Sequence, residues 1–344
     1  MALTQPVRPP ADPGGDVTAT ARARRGAAAG SLALAAARRL ATALLVLWAA
    51  VTVTFLAVHA SPGNTLDIIL GDLREDPQLR AETAAQWGLD RPVVVQYLDY
   101  VGGVLRGDLG TSYQLHAPVT DLIAAQAGPT VALTATAATA AVLLAGIVGT
   151  LTAGRGRIAG RAAGVVELVL VSVPPFWLGI VALAVFSFQL RLFPVAGDDG
   201  WRSLVLPALA LALPIAAILT QVLREGIDRA LEEPFAVTAR ARGLSPAAVR
   251  SRHALRHGLL PSMTLAGTVV GGLLGGTVII EQVFGRPGLG DLTVDAVYGK
   301  DLPVVLGVGL LSALVYVVVS TIVDLLYLVV DPRLRAGTTR REAS

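Results

Sequence analysis

The sequence predicts an all-α membrane protein with six transmembrane helices, and three observations carry that prediction. The 344-residue chain is 53% hydrophobic and only 15% charged, and its mean hydropathy of +0.63 lies well above that of a soluble globular domain. Its apolar residues gather into six runs near or above the roughly 20 residues a helix needs to cross a bilayer. Its arginines crowd alternate gaps between those runs, the asymmetry that sets membrane topology. The absence of cysteine excludes disulfides and thiolate metal sites.

In chain order, residues 1–37 are rich in Pro, Gly, Ala and Arg with little apolar periodicity, which predicts a disordered tail. The first span occupies 38–60, with its apolar run at 40–60. Val58-x-Ala60 could serve a signal peptidase, but the preceding tail is long for an n-region and the run is long for an h-region. Ser61-Pro62-Gly63 stops this helix sharply. Residues 61–127 form the one sizeable region outside the cytoplasm. They carry Asp67, Asp72, Glu75, Asp76 and further acids, and few arginines. The transmembrane core follows at 128–330, with runs at 130–153, 163–188, 204–223, 263–283 and 304–330. Pro174-Pro175 sits inside the third run, where it opens the backbone ladder and needs neighbours to satisfy it. The last run is overlong and predicts tilt or extension into the cytoplasm. Arg22, Arg24, Arg25, Arg38 and Arg39 precede the first span. Arg155, Arg157 and Arg161 fill the second connection, seven arginines the fourth, and Arg333, Arg335, Arg340 and Arg341 the tail at 331–344. With six spans these all fall on one side, so both termini are expected in the cytoplasm.

The fourth connection, 224–262, is the most informative stretch. It is too long and too regular for a turn. Ala230, Phe235, Ala239 and Ala241 keep helical spacing among charges, Gly243 stops the helix where a left-handed cap suits glycine, and Ser245-Pro246 starts a second helix as N-cap and first-turn proline. Thr238-Ala239-Arg240-Ala241-Arg242-Gly243-Leu244-Ser245, then Arg252-His253-Ala254-Leu255-Arg256 and Leu260-Pro261, resemble the cytoplasmic signature loop of ABC importer permeases, and most of all the dipeptide/oligopeptide/nickel branch. Where the common motif begins Glu-Ala-Ala, this chain has Val237-Thr238-Ala239, with Glu232 and Glu233 one turn earlier. Further short motifs follow the same order: Gly107-Asp108-Leu109-Gly110, Phe284, Pro287-Gly288-Leu289-Gly290 and Asp331-Pro332-Arg333. The resemblance therefore covers about 38–335, and ordered motifs weigh more than any one alone.

This resemblance implies a type I ABC importer permease (MetI-like) fold in a bacterial inner membrane. It implies a second homologous permease subunit, two cytoplasmic ATPase subunits and an extracytoplasmic substrate-binding protein as partners, besides membrane lipid, and no nucleic acid. No cofactor is expected on this chain, since ATP is bound by the ATPase subunits and no Walker A sequence is present. The chain is expected to form half of a translocation pathway, most commonly for peptides in this branch, with nickel, glutathione or another small solute as alternatives. Glu232, Glu233, Ala239, Arg240, Arg242, Gly243 and Leu244 are the expected ATPase-coupling residues.

Other features have weaker readings. Gly271, Gly272, Gly275 and Gly276 make overlapping small-xxx-small pairs, which serve either packing within the chain or contact with a second permease. Among ionisable residues in the spans, Glu167 and Asp324 read as structural partners for arginine, and Glu281 is the best candidate for a pathway or gate. Gly285-Arg286-Pro287-Gly288-Leu289-Gly290 places its glycines wrongly for a dinucleotide loop and reads as a turn. His253 and His257 share a helical spacing, but Ala254 stands where a zinc hydrolase needs glutamate. No catalytic or metal residue is expected. A proton-coupled secondary transporter would carry paired midplane carboxylates and inverted repeats, and a membrane hydrolase a nucleophile–base pair; neither pattern is visible.

Overall fold

The computed structural model describes the backbone of residues 17–330, and within it not the side chains of 17–33, 35, 157, 159, 260, 264, 268, 270, 271, 274 and 323–330. Within that range the fold is helical. The chain divides into two units between Ala49 and Ala50. Helix α1, Val17–Ala60, begins in the first. The disordered tail expected over 1–37 thus gives way to helix from Val17, in a stretch of alanine and arginine, which have the lowest intrinsic cost in a helix. Residues 1–16 and 331–344 lie outside the described residues.

The second unit opens with a small cap: α2 (Thr65–Leu70), α3 (Pro77–Trp87) and α4 (Val93–Val104). Asp76 caps α3 by accepting from the Gln78 and Leu79 amides, and Gly88 ends it at φ 67°, the left-handed terminus that only glycine takes without a Cβ penalty. Then come α5 (Val119–Thr152), α6 (Gly156–Ser172), α7 (Pro175–Ala182) with its wide π-type continuation to Gln189, and α8 (Arg202–Glu232). After α8 come α9 (Pro234–Ala241), α10 (Pro246–Val249), α11 (Leu255–Val283), α12 (Leu289–Tyr298) and α13 (Leu302–Val330).

Among the described residues four segments are each long and apolar enough to cross a bilayer: Ala36–Ala60, Val119–Thr152, Arg202–Glu232 and Leu302–Ile322. The fifth predicted run lies within the 29-residue α11. The third run forms two helices bent by 99°, which together are long and apolar enough to make a fifth span. Val173 and Pro174 both leave helical geometry, at ψ 126° and 140°, since a residue before proline is pushed out of the α region. α5 starts earlier than the predicted run, at Val119, and continues through Pro129.

The core is built on α8. Leu206, Ala208, Leu211, Ala212, Ile215, Ala216, Leu219 and Leu223 are all buried, so its apolar surface is covered almost all round. α5 meets it with Leu133, Ala137, Ala141, Ala145 and Gly149, buried residues four apart. A Cβ on Gly149 would come within 3.0 Å of Leu223. α8 and α11 approach more closely still. A Cβ on Gly226 would lie 2.6 Å from Gly258 Cα, and one on Gly258 would lie 2.7 Å from the Leu223 carbonyl oxygen. In lipid the tails are as apolar as the side chains, so close backbone approach is what holds helices together. Gly226→Val should therefore force α8 from α11 and lower stability by roughly 1–3 kcal/mol, read as a lower unfolding midpoint of the purified complex in detergent. Gly146→Ala, where nothing stands within 4 Å, is the control that should leave the midpoint unchanged.

Candidate functional site

The segment expected to couple the chain to its motor is compact and self-supporting. α8 runs to Glu232, past the predicted end of its apolar run, so Arg224 and Arg229 are helical residues of α8 rather than of a loop. Glu233 turns the backbone (ψ 150°) and Pro234 opens α9. Gly243 sits at φ 80° with nothing within 4 Å of where its Cβ would be. Its glycine is therefore required by conformation and not by space. Ser245 then caps α10 by accepting from the Ala248 amide at 3.2 Å. The expected helix, glycine corner and helix are all present. A small cluster of Ala236, Ala239 and Val249, with Leu231, Phe235 and Leu244 against it, holds the two helices together.

The fold places the expected coupling residues in distinct settings. Ala239 is buried in that cluster and so supports the corner from within. Arg240 donates to the Leu231 carbonyl at 3.0 Å, tying α9 back to the end of α8. Glu232, Glu233, Arg242 and Gly243 are exposed, and Leu244 is half-buried. Val237, which the sequence reading passes over, is 58% exposed on the face of α9 away from the cluster. Its signal was present as an apolar residue out of phase with Ala236 and Ala239.

The base of this segment is clamped by charges. Arg224 on α8 grips Glu167 on α6 through two hydrogen bonds of 2.5 and 2.7 Å, the bidentate geometry that guanidinium offers a carboxylate. Glu167 is thus the arginine partner it was expected to be; Asp324 falls outside the described side chains. Asp228 accepts from the Gly154 amide at 2.8 Å, and Arg250 donates to the Ala153 carbonyl at 3.1 Å. Both fasten the α5–α6 turn to the coupling segment.

Glu281, the expected pathway or gate residue, has no exposed surface and is held by partners within the fold. Its carboxylate accepts from Thr130 Oγ1 (2.6 Å), the Gly290 amide (2.7 Å) and the Asp291 amide (3.3 Å). Thr130 in turn accepts from the Leu289 amide at 2.8 Å. Together they satisfy the first-turn amides of α12, where a helix has unpaired donors and favours an anion. The Pro287-Gly288-Leu289-Gly290 motif follows from this. A Cβ on Gly288 would stand 2.4 Å from the Glu281 carboxyl, and one on Gly290 2.4 Å from Val278 Cα. One junction thereby joins α5, α11 and α12. Arg286, also buried, donates to the Gly197 carbonyl (3.1 Å) and to Ser203 Oγ (3.0 Å), anchoring the loop before α8.

Two neighbours in sequence organise the cap. Lys300, the chain's single lysine, donates from Nζ to the Ser61 (2.7 Å) and Gly63 (2.9 Å) carbonyls just past α1, a favourable place for a cation. Asp301 accepts from Ser112 Oγ (2.5 Å) and from the Tyr113 (3.1 Å) and Gln114 (3.2 Å) amides. Burial and the Asp301 charge push the Tyr113 phenol up to about 12, so that ring stays neutral. Of the glycine stripe, Gly276 packs on Leu211, whereas Gly272 and Gly275 are exposed with nothing within 4 Å of a Cβ. Gly271 is outside the described side chains. Among the described residues no group of three or more His, Asp or Glu could hold a metal ion.

Glu281→Ala should strand three buried donors and cost roughly 2–4 kcal/mol, seen as a lower unfolding midpoint and poor recovery of the complex. Glu281→Gln should recover part of the loss. A residue that merely lined a pathway would change transport and leave the midpoint in place.

Comparison with known proteins places this geometry. Residues 119–336 match the family described as binding-protein-dependent transport system inner membrane component, and residues 34–134 match its N-terminal region. The glutathione transport system permease protein GsiC of Salmonella choleraesuis (strain SC-B67) is 37% identical over 282 residues, 82% of this chain and 92% of the relative. GsiC of Escherichia coli (strain K12) is 35% identical over 299 residues, 87% and 97% of the two chains. Among solved structures, a chain of the MetNI methionine ABC transporter in an inward-facing form superposes with a TM-score of 0.50 at 19% identity, covering 61% of this chain and 96% of that one.

Proposed function

The chain belongs to the family of binding-protein-dependent transport system inner membrane components, and from that membership we propose a peptide importer subunit that is driven through the corner at Gly243. As a family member it is the inner-membrane, multi-pass permease subunit of an ABC importer and not an enzyme; it works with an ATPase and a substrate-binding protein. The finer reading is the proposal. Two ATPase subunits dock on the α9–α10 corner, a second homologous permease packs against the open surface at Gly272 and Gly275, and ATP is bound by the ATPases. The termini and the corner lie in the cytoplasm, on the side of the arginine-rich connections, and the cap lies outside facing the binding protein. The substrate is a short peptide of the glutathione kind, the solute for which the relatives cited above are named.

One observation carries the coupling role. The corner keeps its shape with its own buried cluster yet exposes an apolar residue, Val237, on a short helix whose two ends carry the charged and exposed Glu233 and Arg242. An apolar centre with a polar rim is the pattern of a docking surface. Because Glu167–Arg224, Asp228 and Arg250 clamp its base, a push on the corner is transmitted to α6, α8 and the α5–α6 turn. Closure of the ATPase pair on ATP then moves both corners, and the helix bundles rock to open the pathway outward.

Val237→Asp should leave the chain inserted and folded, while copurified ATPase and uptake of glutathione by cells expressing the full gene set both fall to about a tenth or less, the scale of losing a buried anchor. Normal copurification and uptake would remove the corner from the coupling role. Gly243→Val should also reduce uptake, because a β-branched residue is strained at positive φ, and Gly243→Asn should retain more of it.

A further inference from the structure

α4 offers a surface that the transport reading leaves unused. At 100° per residue, Val94, Leu98 and Leu105 fall within an arc of about 40°, and they are 69%, 60% and 83% exposed. Tyr97, Tyr100 and Val101 face inward, against a cluster containing Phe55 of α1 and Leu302 and Leu306 of α13. Gln96, Asp99 and Arg106 occupy the remaining side, where Asp99 pairs with Arg91 at 2.9 Å. The helix thus has three sectors: one packed, one polar, and one apolar with no covering among the described residues.

The place of α4 along α1 identifies what covers it. Tyr97 Oη is 2.7 Å from Thr52 Oγ1, and the Tyr97 ring meets Phe55 edge-on with centroids 5.2 Å apart. Thr52 lies eight residues before Ala60, where α1 and its apolar span both end. At 1.5 Å per residue that is about 12 Å inside the end of the span. α4 therefore lies beside the final turns of a membrane-crossing helix, not beyond them, and at that depth the surrounding medium is lipid. A helix with one apolar face and one polar face is the form that lies in a bilayer boundary. Arg106, at the end of the polar side, can extend its head group to the lipid phosphates.

We propose that α4 is an interfacial anchor of the cap, with Val94, Leu98 and Leu105 seated among the acyl chains of the outer leaflet and Asp99 and Gln96 facing water. The choice of leaflet rests on the orientation proposed above; the contact with lipid does not. The anchor would hold the cap at a set height on the membrane as the spans rock.

The chain has no cysteine, so a thiol placed in it is the only one on this subunit, and the complex carrying the unsubstituted chain gives the labelling background. Leu98→Cys, Leu105→Cys and Asp99→Cys would each be labelled with an environment-sensitive fluorophore in the full complex, reconstituted in nanodiscs of phosphatidylethanolamine and phosphatidylglycerol. Nitroxide-labelled lipid should quench positions 98 and 105 by about twofold or more while aqueous iodide leaves them unchanged, as for residues in the acyl boundary. Position 99 should show the reverse. Iodide quenching at 98 and 105 equal to that at 99 would overturn the proposal, because the cap then stands in water. Protection of 98 and 105 from both quenchers would also overturn it, since a protein partner then covers the face. An impermeant thiol reagent on intact spheroplasts tests the leaflet separately. Labelling of Asp99→Cys only after permeabilisation would overturn the orientation and the outer-leaflet assignment, and the quenching result would still decide the lipid contact.

Discussion

The structure depends on how closely α8 can be approached. Within a bilayer no hydrophobic force gathers helices, so their association rests on contact between backbones and small side chains. α8 is clothed in alanine and leucine, and α5 meets it with buried residues at every fourth position. At Gly226 and Gly258 the α8 and α11 backbones touch. This crossing lies near the end of α8 that leads into the α9–α10 corner, so under the proposed coupling it is a joint through which motion of α9 and α10 reaches the spans.

Close packing of apolar helices leaves the breaks between them as the costly points. Each turn contains backbone donors and acceptors that helices would otherwise satisfy, and buried ones must find partners. The protein meets this cost repeatedly in one way, with a polar side chain supplied by another element. Glu281 and Thr130 fill the start of α12, Lys300 closes α1, Asp301 holds the 112–114 turn, Arg286 holds Gly197, and Asp228 and Arg250 hold the α5–α6 turn. These charges are structural. An ionisable residue in an apolar segment is costly, and at Glu281 the donors of Thr130, Gly290 and Asp291 offset that cost.

The same contrast runs through the coupling corner. The glycine break, the proline starts and the Ser245 cap were legible because local backbone chemistry alone requires them. Which side chains face outward was not legible, because Ala239 and Val237 differ only in which neighbours the folded α8 and α10 bring to them. Arg240 reads as a rim charge in the sequence and is a tether to Leu231 in the fold. The bend at Val173–Pro174 sits between: its position was written in the Pro174-Pro175 pair, whereas its 99° angle is set by packing of α7 against α8 and α11.

By itself the sequence determined the all-helical membrane class, the places of the apolar runs, the arginine asymmetry and the helix–glycine–helix corner. Each of these is a property of a local window or of composition, where periodicity and backbone preference act within a few residues. Tertiary structure alone decided that Glu281 caps α12, that Lys300 and Asp301 secure the cap, that Gly226 meets Gly258, and that α4 lies beside α1 with one face uncovered. The partners in these contacts stand up to 239 residues apart. No local rule pairs groups at that separation; only the assembled helices bring them within hydrogen-bond or van der Waals range.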